Sequence, residues 1–467
     1  MWLWEWICAQ SAAPGPGPQL FSGERGVSLR SLARQSLLQA PLARLRGRSV
    51  LLSTADALSG SLALLELDGT ARRVLLCPPD VREEHLPALV VSGQIDAAVG
   101  SLAPALLEAL GIALSVRVDP AAPQPLVESR QPWHRTEWIL LTSGTSGPPK
   151  LVEHSMQGLT QAFADDAALA MPAQERLWSS FYDPRRYGGL QILLRSLRSR
   201  GMLLFNPAQA LPAFLAQAAA LGVTHISGTA SHWRAVLMSG AAAALQPRYV
   251  RLSGEIADQA VLDALHATWP QAQIAHAFAS TEAGVAFEVQ DGLAGFPAHW
   301  IDAPPSAAPG SVALRIRDGR LQLRSGGTGL RYLGPDAPAL RDAEGYVDTG
   351  DRLQLRGDRY AFLGRSGGII NVGGMKVHPE EVEAVINAQP FVQMSRVRAR
   401  RSPITGALVA AEVVLVPSAA ATPATQLTEQ IRAACRQVLA PHKVPAVIQI
   451  VAALPLSANG KLLRGDA

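Results

Sequence analysis

Residues 140–150, LLTSGTSGPPK, constrain this chain more than any other stretch. Six consecutive residues, 142–147, are glycine or bear a hydroxyl, and they stand between an apolar run and a second extended run, with Lys150 closing the segment. Gly144 and Gly147 carry no Cβ, and Thr142, Ser143, Thr145 and Ser146 offer hydroxyls, so backbone N–H groups and side chains together can cradle a phosphate. A surface turn has the same composition, and the GxxxxGK[ST] spacing of a Walker A loop is absent. The segment gains meaning from the other motifs that share its chemistry.

The chain is long enough, at 467 residues and 48% apolar, to bury a large core in two or more domains. No run of about 18 uninterrupted apolar residues exists to span a bilayer, and the opening MWLWEWICAQ lacks the basic start of a signal peptide. The sequence therefore reads as a cytoplasmic protein without stable membrane insertion. Trp2, Trp4 and Trp6 alternate as a half-buried strand would, an interfacial membrane contact being the other reading. Cys8, Cys77 and Cys435 lie far apart and form no metal-ligand spacing. A net charge of +4 on scattered arginines gives no nucleic-acid footprint. Of the 42 basic residues only Lys150, Lys376, Lys443 and Lys461 are lysines. In an arginine-dominated chain a lysine marks a place where a compact ammonium is needed; Lys443 alone reads as a surface charge.

Residues 1–130 alternate apolar runs (50–52, 61–67, 74–77, 97–99) with helical stretches, which predicts α/β layering. A helix is expected over 151–170, with His154 near its start as a local hydrogen-bonding residue. Residues 203–206, 223–228 and 249–255 read as strands, with a helix over 208–221. Such βα alternation brings residues such as Gly228, Ser231 and His232 to strand ends, where ligands bind in open parallel sheets. In residues 274–284, IAHAFASTEAG, a strand ends on Thr281 and Glu282, a hydroxyl beside a carboxylate that could hold a phosphate oxygen and a hard cation together; alone it is also a helix cap. A hairpin is expected about Asp318–Gly319, then a glycine-rich loop, 325–333, with Arg331 and Tyr332. YVDTGDR, 346–352, places Asp351 at the end of a short strand, where its carboxylate can accept two hydrogen bonds from a vicinal diol. Residues 364–383 hold five glycines in their first eleven positions, a hinge composition. Strands over 394–399, 408–416 and 446–451 and an amphipathic helix over 427–439 follow. LPLSANGKLLR, 454–464, then presents Lys461 on a glycine-bearing turn.

Taken together these segments resemble the adenylate-forming superfamily of acyl-CoA synthetases, aryl acid ligases and peptide-synthetase adenylation domains. The resemblance is residue by residue over 142–150, with Leu151 where the family usually has glycine. It extends to the Y-G-x-T-E motif, here Phe278, Ala279, Ser280, Thr281 and Glu282, and to the terminal P-x-x-x-x-G-K motif ending at Lys461. It implies a large N-terminal multi-sheet α/β domain, residues 1–364, carrying the ATP and acid sites, and a small mobile α+β C-terminal lid, residues 365–467.

The resemblance also implies roles. Thr142, Ser143, Gly144, Thr145, Ser146, Gly147 and Lys150 would hold phosphates; Gly254 and Glu255 would lie beside adenine, with Phe278 stacking on it. Glu282 would hold Mg2+, Asp351 and Arg365 would contact ribose or phosphate, and Lys461, with Thr281 and Glu282, would carry catalysis. Trp178, Tyr182, Tyr187, Gly228 and Gly284 would wall the acid pocket. Asp183 lies roughly where amino-acid-activating members hold the substrate amine, an exposed loop acid being the competing reading. Gly367 stands at the pivot where the family has Asp or Lys, and Gly373 and Gly374 correspond to the loop lining a pantetheine tunnel. The implied activity is activation of a small carboxylic acid by ATP and transfer to a thiol of coenzyme A or of a carrier protein's phosphopantetheine. The aromatic residues of 178–187 favour an aryl acid such as a hydroxybenzoate over a fatty acid or an amino acid. An inactive nucleotide-binding scaffold is the alternative of another class.

Overall fold

In the computed structural model the described residues are 2–11, 19–128, 130–142, 149–163, 175–206, 210–303, 312–402, 406–419, 421–457 and 460–463. Among them the large domain is built on three sheets. One runs in the order Gly284–Val289, Gln273–Ser280, Tyr249–Ser253, His225–Gly228, Leu177–Ser180, Met202–Phe205, Gln19–Ser22, Arg25–Ser28; its central strands are parallel and both edge pairings antiparallel. The second runs Arg331–Leu333, Leu151–His154, Glu137–Leu141, Arg73–Leu76, Ser49–Ser53, Ala97–Gly100, Leu114–Val116. The third is antiparallel and contains Val347–Arg356 and Arg359–Arg365.

Helices Ala57–Leu67 and Tyr187–Arg198 share one core with residues of the first two sheets: Leu58, Leu62, Leu190 and Leu194 pack with Val50, Leu52, Trp138, Trp178 and Leu203. A helix wrapped by apolar neighbours carries apolar residues all round. For that reason 61–67 resembles a buried strand in sequence yet is helical, started by Asp56, whose side chain accepts from the Ser59 N–H.

Trp2, Trp4 and Trp6 do not sit on a strand. Leu3–Ser11 is a helix whose Leu3, Trp4, Trp6 and Ile7 are buried. The i, i+3, i+4 stripe outweighs the tryptophan alternation because four core contacts lie on one helical face. The chain is tied down where the Leu3 N–H donates to Asp68 Oδ2 at 2.8 Å.

Residues 151–170 also depart from expectation. Leu151–His154 is a strand antiparallel to Glu137–Leu141 and to Arg331–Leu333, and among the described residues beyond it Met156–Thr160 is α-helical, with Ser155 as its cap. Sheet pairing on both edges overrides local helix preference. The same pairing makes Arg331–Leu333 a strand, not part of a glycine-rich loop.

The small domain holds the hairpin Ile370–Val372/Met375–Val377, helix Pro379–Asn387, strands Val392–Ser402, Gly406–Leu415 and Val447–Ile450, and helix Ala424–Val438 around its own apolar core. Lys443, read as a surface charge, pairs with both carboxylate oxygens of Glu381 at 2.9 and 2.7 Å.

Trp178 belongs to the core, not to a pocket wall. It is 0% exposed, its Nε1–H donates to Ser199 Oγ at 3.0 Å, and its ring lies 4.5 Å from His225. Trp178→Ala should lower the unfolding free energy by about 3–5 kcal/mol, measured by denaturant titration.

Candidate active site

The site forms where parallel strands end. Leu177–Ser180, His225–Gly228, Tyr249–Ser253 and Gln273–Ser280 are neighbours in register, so Phe181, Thr229, Gly254 and Thr281 emerge along one edge. Ligands bind at such carboxyl-terminal edges because the strands stop there and the loops diverge.

Lys461 reaches this edge from the small domain. Gly254 has φ +82°, and a Cβ there would stand 3.2 Å from Lys461 Cε and 3.6 Å from Nζ. Burial pulls the lysine below its usual pKa, while the charges of Glu255 and Asp351 pull it back up and those of Arg365 and Arg186 push it down further. The lysine loop is a compact turn: Ser457 N–H donates to Lys461 O at 2.8 Å and Gly460 N–H to Ser457 O at 2.8 Å. It docks on the large domain through Thr229 Oγ1, which donates to Gly460 O at 3.0 Å, and through the Leu462 N–H, which donates to Glu255 Oε1 at 2.8 Å.

Thr229 caps helix Ala230–Met238. Its Oγ1 accepts from the His232 N–H, while the Thr229 N–H donates to His232 Nδ1 at 3.1 Å. The His232 ring is stacked 4.8 Å from Phe181 and pressed against Gly460. This capping pair escaped the sequence reading because the residue three places on is His232, where the usual signal is Glu or Gln.

Burial lowers the His232 pKa from 6.5 to about 4. The unfolded chain therefore takes the proton first as pH falls. The stability that neutral His232 contributes is complete above about pH 6.5 and is lost between there and about pH 4, roughly 3 kcal/mol in all. Denaturant titrations at pH 7 and at about pH 4 should show a smaller loss in His232→Asn than in wild type.

Glu282 lies in the turn between Gln273–Ser280 and Gly284–Val289, where Tyr332 Oη–H donates to Oε1 at 3.4 Å. Lys150 Nζ stands 5.1 Å over the Tyr332 ring, so Lys150, Tyr332 and Glu282 form one chain of contacts. The neighbouring Thr281 carbonyl is held by His154 Nε2 at 2.8 Å, and burial lowers the His154 pKa to about 4. Thr142 N–H donates to Lys150 O at 3.0 Å, which closes the base of the phosphate-loop segment. Ser143, Gly144, Thr145, Ser146 and Gly147 lie outside the described residues.

Asp351 sits mid-strand in Val347–Arg356, not at a strand end, 3.6 Å from Arg365 Nε. Burial raises its pKa, against the pull of Arg365. Arg365 also donates to Thr349 O at 2.9 Å. Gly373 and Gly374, with φ +58° and +87°, form the turn of the Ile370–Val372/Met375–Val377 hairpin, and Gly367 has open space where a Cβ would stand.

Phe278 is half-buried between Phe287 and Phe362, with centroids at 5.7 and 5.2 Å; Ala279 and Ser280 follow it to the strand end. Tyr182 is held below the strand edge, its hydroxyl donating to Ser253 O at 2.8 Å. Tyr187 lies deeper, its hydroxyl accepting from the Val285 N–H at 3.0 Å, and burial raises its pKa to about 12. A Cβ at Gly228 would meet Phe181 at 2.9 Å, and one at Gly284 would meet Gly327 O at 2.4 Å, so both glycines serve close packing. Asp183 is occupied by Arg185, whose N–H and Nε both donate to Oδ1 at 2.8 Å and whose Nη2 donates to Oδ2 at 2.6 Å. Arg186 donates to both oxygens of Asp80 at 2.6 Å.

Fold and site define a two-domain protein whose small domain carries one lysine into the strand-end site of the large one. The chain belongs to the AMP-binding enzyme family, which it matches over residues 73–327, and it matches the AMP-binding enzyme C-terminal domain over 381–461. It is thereby an adenylate-forming superfamily member. The human mitochondrial acyl-coenzyme A synthetase ACSM2A is 26% identical over 358 residues, 70% of this chain and 59% of that protein. Human mitochondrial ACSM1 is 32% identical over 164 residues, 35% of this chain and 28% of its own length. The matched region thus spans less than two thirds of either relative. Among solved structures, the anthranilate CoA ligase AuaEII in complex with anthranoyl-AMP has a TM-score of 0.80 at 18% identity, covering 99% of this chain and 95% of that one. The amide bond synthetase McbA from Marinactinospora thermotolerans has a TM-score of 0.76 at 19% identity, covering 98% of each chain. At these identities the likeness is one of fold. Among the described residues, no helix is long and apolar enough to cross a membrane.

Proposed function

We propose that this protein is an AMP-forming acid–thiol ligase. A carboxylate oxygen attacks the α-phosphorus of ATP, the α–β bridging P–O bond breaks, and pyrophosphate leaves. A thiol sulfur then attacks the acyl carbon, its proton goes to solvent, and AMP departs with the bridging oxygen. Two anions meet in the first step, so positive charge must stand between them. The observation that carries the reading is the Lys461 ammonium beside Gly254, flanked by the charges of Glu255 and Asp351.

In this reading Lys461 bridges carboxylate and α-phosphate, Asp351 and Arg365 hold the ribose, and Thr142 to Gly147 with Lys150 hold the β- and γ-phosphates. Thr281 orients a phosphate oxygen. One carboxylate beside phosphate oxygens is a usual Mg2+ environment, and Glu282, bonded only weakly by Tyr332, fits it; when bound, the ion neutralises phosphate charge. The lid is residues 365–467, turning on the large domain of 1–364 at Gly367. Its rotation withdraws Lys461 and brings Gly373 and Gly374 to the thiol path of coenzyme A or a carrier-protein phosphopantetheine.

For the acid, an aryl carboxylate is favoured by Tyr182 and His232, whose ring centroids lie 6.2 Å apart; Trp178 and Tyr187, buried in the core, give it no support. The named relatives are acyl-coenzyme A synthetases, which keeps a fatty acid as the second reading. The Arg185 pairing engages both Asp183 oxygens and so competes with a substrate amine. Acid-dependent ATP–pyrophosphate exchange across aryl, fatty and amino acids tests the proposal. Exchange with one class names the substrate, whereas ATP binding without any exchange overturns the ligase reading in favour of a nucleotide-binding scaffold.

A further inference from the structure

Glu255, expected from the sequence beside adenine, turns its carboxylate to two backbone N–H groups on opposite sides of the domain boundary. Gly254, at φ +82°, turns the chain after strand Tyr249–Ser253 so that the next side chain leaves the sheet. Its two carboxylate oxygens then serve two domains. Oε2 accepts from the Ser231 N–H of the large domain and Oε1 from the Leu462 N–H of the lid, each at 2.8 Å. We propose that Glu255 is a latch, a positioning residue that holds the lysine loop in the adenylating arrangement and releases it for the thiol step. The proposal rests on the ligase reading above.

The geometry explains how such a latch could be both selective and reversible. Leu462 directly follows Lys461, so a bond to its N–H fixes the lysine backbone within one residue of the reacting group. The bond to Ser231 belongs to the large domain alone and survives lid rotation, leaving the carboxylate aimed for recapture. The donor on the lid is a backbone N–H, so the catch reads the position of the loop, while the carboxylate's charge also acts on the Lys461 ammonium. Thr229, donating to Gly460 O, supplies a second point of contact two residues away from Leu462. A charge-assisted hydrogen bond of this kind biases a two-state equilibrium by about tenfold or more without trapping it.

The test compares wild type with Glu255→Ala and Glu255→Gln in three measurements on the full chain. These are ATP–pyrophosphate exchange, thioester formation from a supplied synthetic acyl adenylate and a thiol, and amide hydrogen exchange over 460–463 without nucleotide. A latch predicts that Glu255→Ala lowers exchange about tenfold or more through kcat, with KM for ATP unchanged. Thioester formation is retained, and the 460–463 amides exchange faster. Glu255→Gln, which keeps one carbonyl acceptor, falls between. Equal loss in both half-reactions, a raised KM for ATP, or unchanged amide protection would overturn the latch. If wild type itself catalyses no pyrophosphate exchange, the ligase reading fails, and amide protection over 460–463 still decides whether Glu255 holds the loop.

Discussion

Lys461→Ala is expected to lower acid-dependent ATP–pyrophosphate exchange by about 100- to 1,000-fold, with ATP binding largely kept. The lysine lies against Gly254 at the strand edge, and its charge opposes the repulsion between carboxylate and α-phosphate. Water could replace it as a hydrogen-bond donor but not as a fixed ammonium in a buried position. Lys461→Arg should rescue little, because a planar guanidinium is wider than the ammonium and Gly254 already approaches the lysine tail closely. Since burial lowers the Lys461 pKa, adenylation should fail on the alkaline side at a lower pH than an exposed lysine would dictate. Thioester formation from supplied acyl adenylate should survive the substitution. Equal loss of both half-reactions would place Lys461 outside the adenylation step.

Gly460→Ala should reduce the same exchange by about 100-fold without touching any charged group. A Cβ at Gly460 would stand 1.9 Å from His232 Nε2 and 2.0 Å from Cε1, and the residue has φ +63°. The imidazole has no room to yield, because Nδ1 is engaged by Thr229 and the ring is stacked on Phe181. The lid must then dock displaced, and an ångström at the reacting centre is costly. Glycine at this position is required both by the left-handed backbone and by the closeness of the ring. The double variant Gly460→Ala/His232→Ala should recover part of the exchange, since the ring is gone while the strained φ remains. No recovery at all would assign the whole defect to the backbone of the lysine loop.

The two predictions separate what could be read locally from what could not. Lys461, Glu282 and Asp351 stand out in sequence because each is a charged group in a short, chemically unusual segment. The strands over 223–228, 249–255 and 274–280 were legible because each apolar run ends in glycine or hydroxyl residues, whereas their order, with Leu177–Ser180 set between Met202–Phe205 and His225–Gly228, was not. The N-terminal tryptophans misled because alternation by one residue type hid a helical stripe made by several, with Leu3 and Ile7 in the same core as Trp4 and Trp6. Residues 151–154 misled because their strand state depends on Glu137–Leu141 and Arg331–Leu333 on either side, and the second partner lies far away in the chain. Trp178 and Tyr187 were assigned to a pocket on their aromatic character, yet both sit in the core shared by the two sheets.

By itself, then, the sequence determined the family, the α/β layering with a small C-terminal domain, and which chemical groups the chain can bring to a reaction. These follow from residue identity and spacing over short distances, where bonding rules leave few choices. Tertiary structure alone decided that His232 meets Gly460 and that Glu255 bonds Leu462 across domains. Direction, burial and partnership are set by packing between segments hundreds of residues apart, and no local spacing encodes which of two nearby acceptors an N–H will reach.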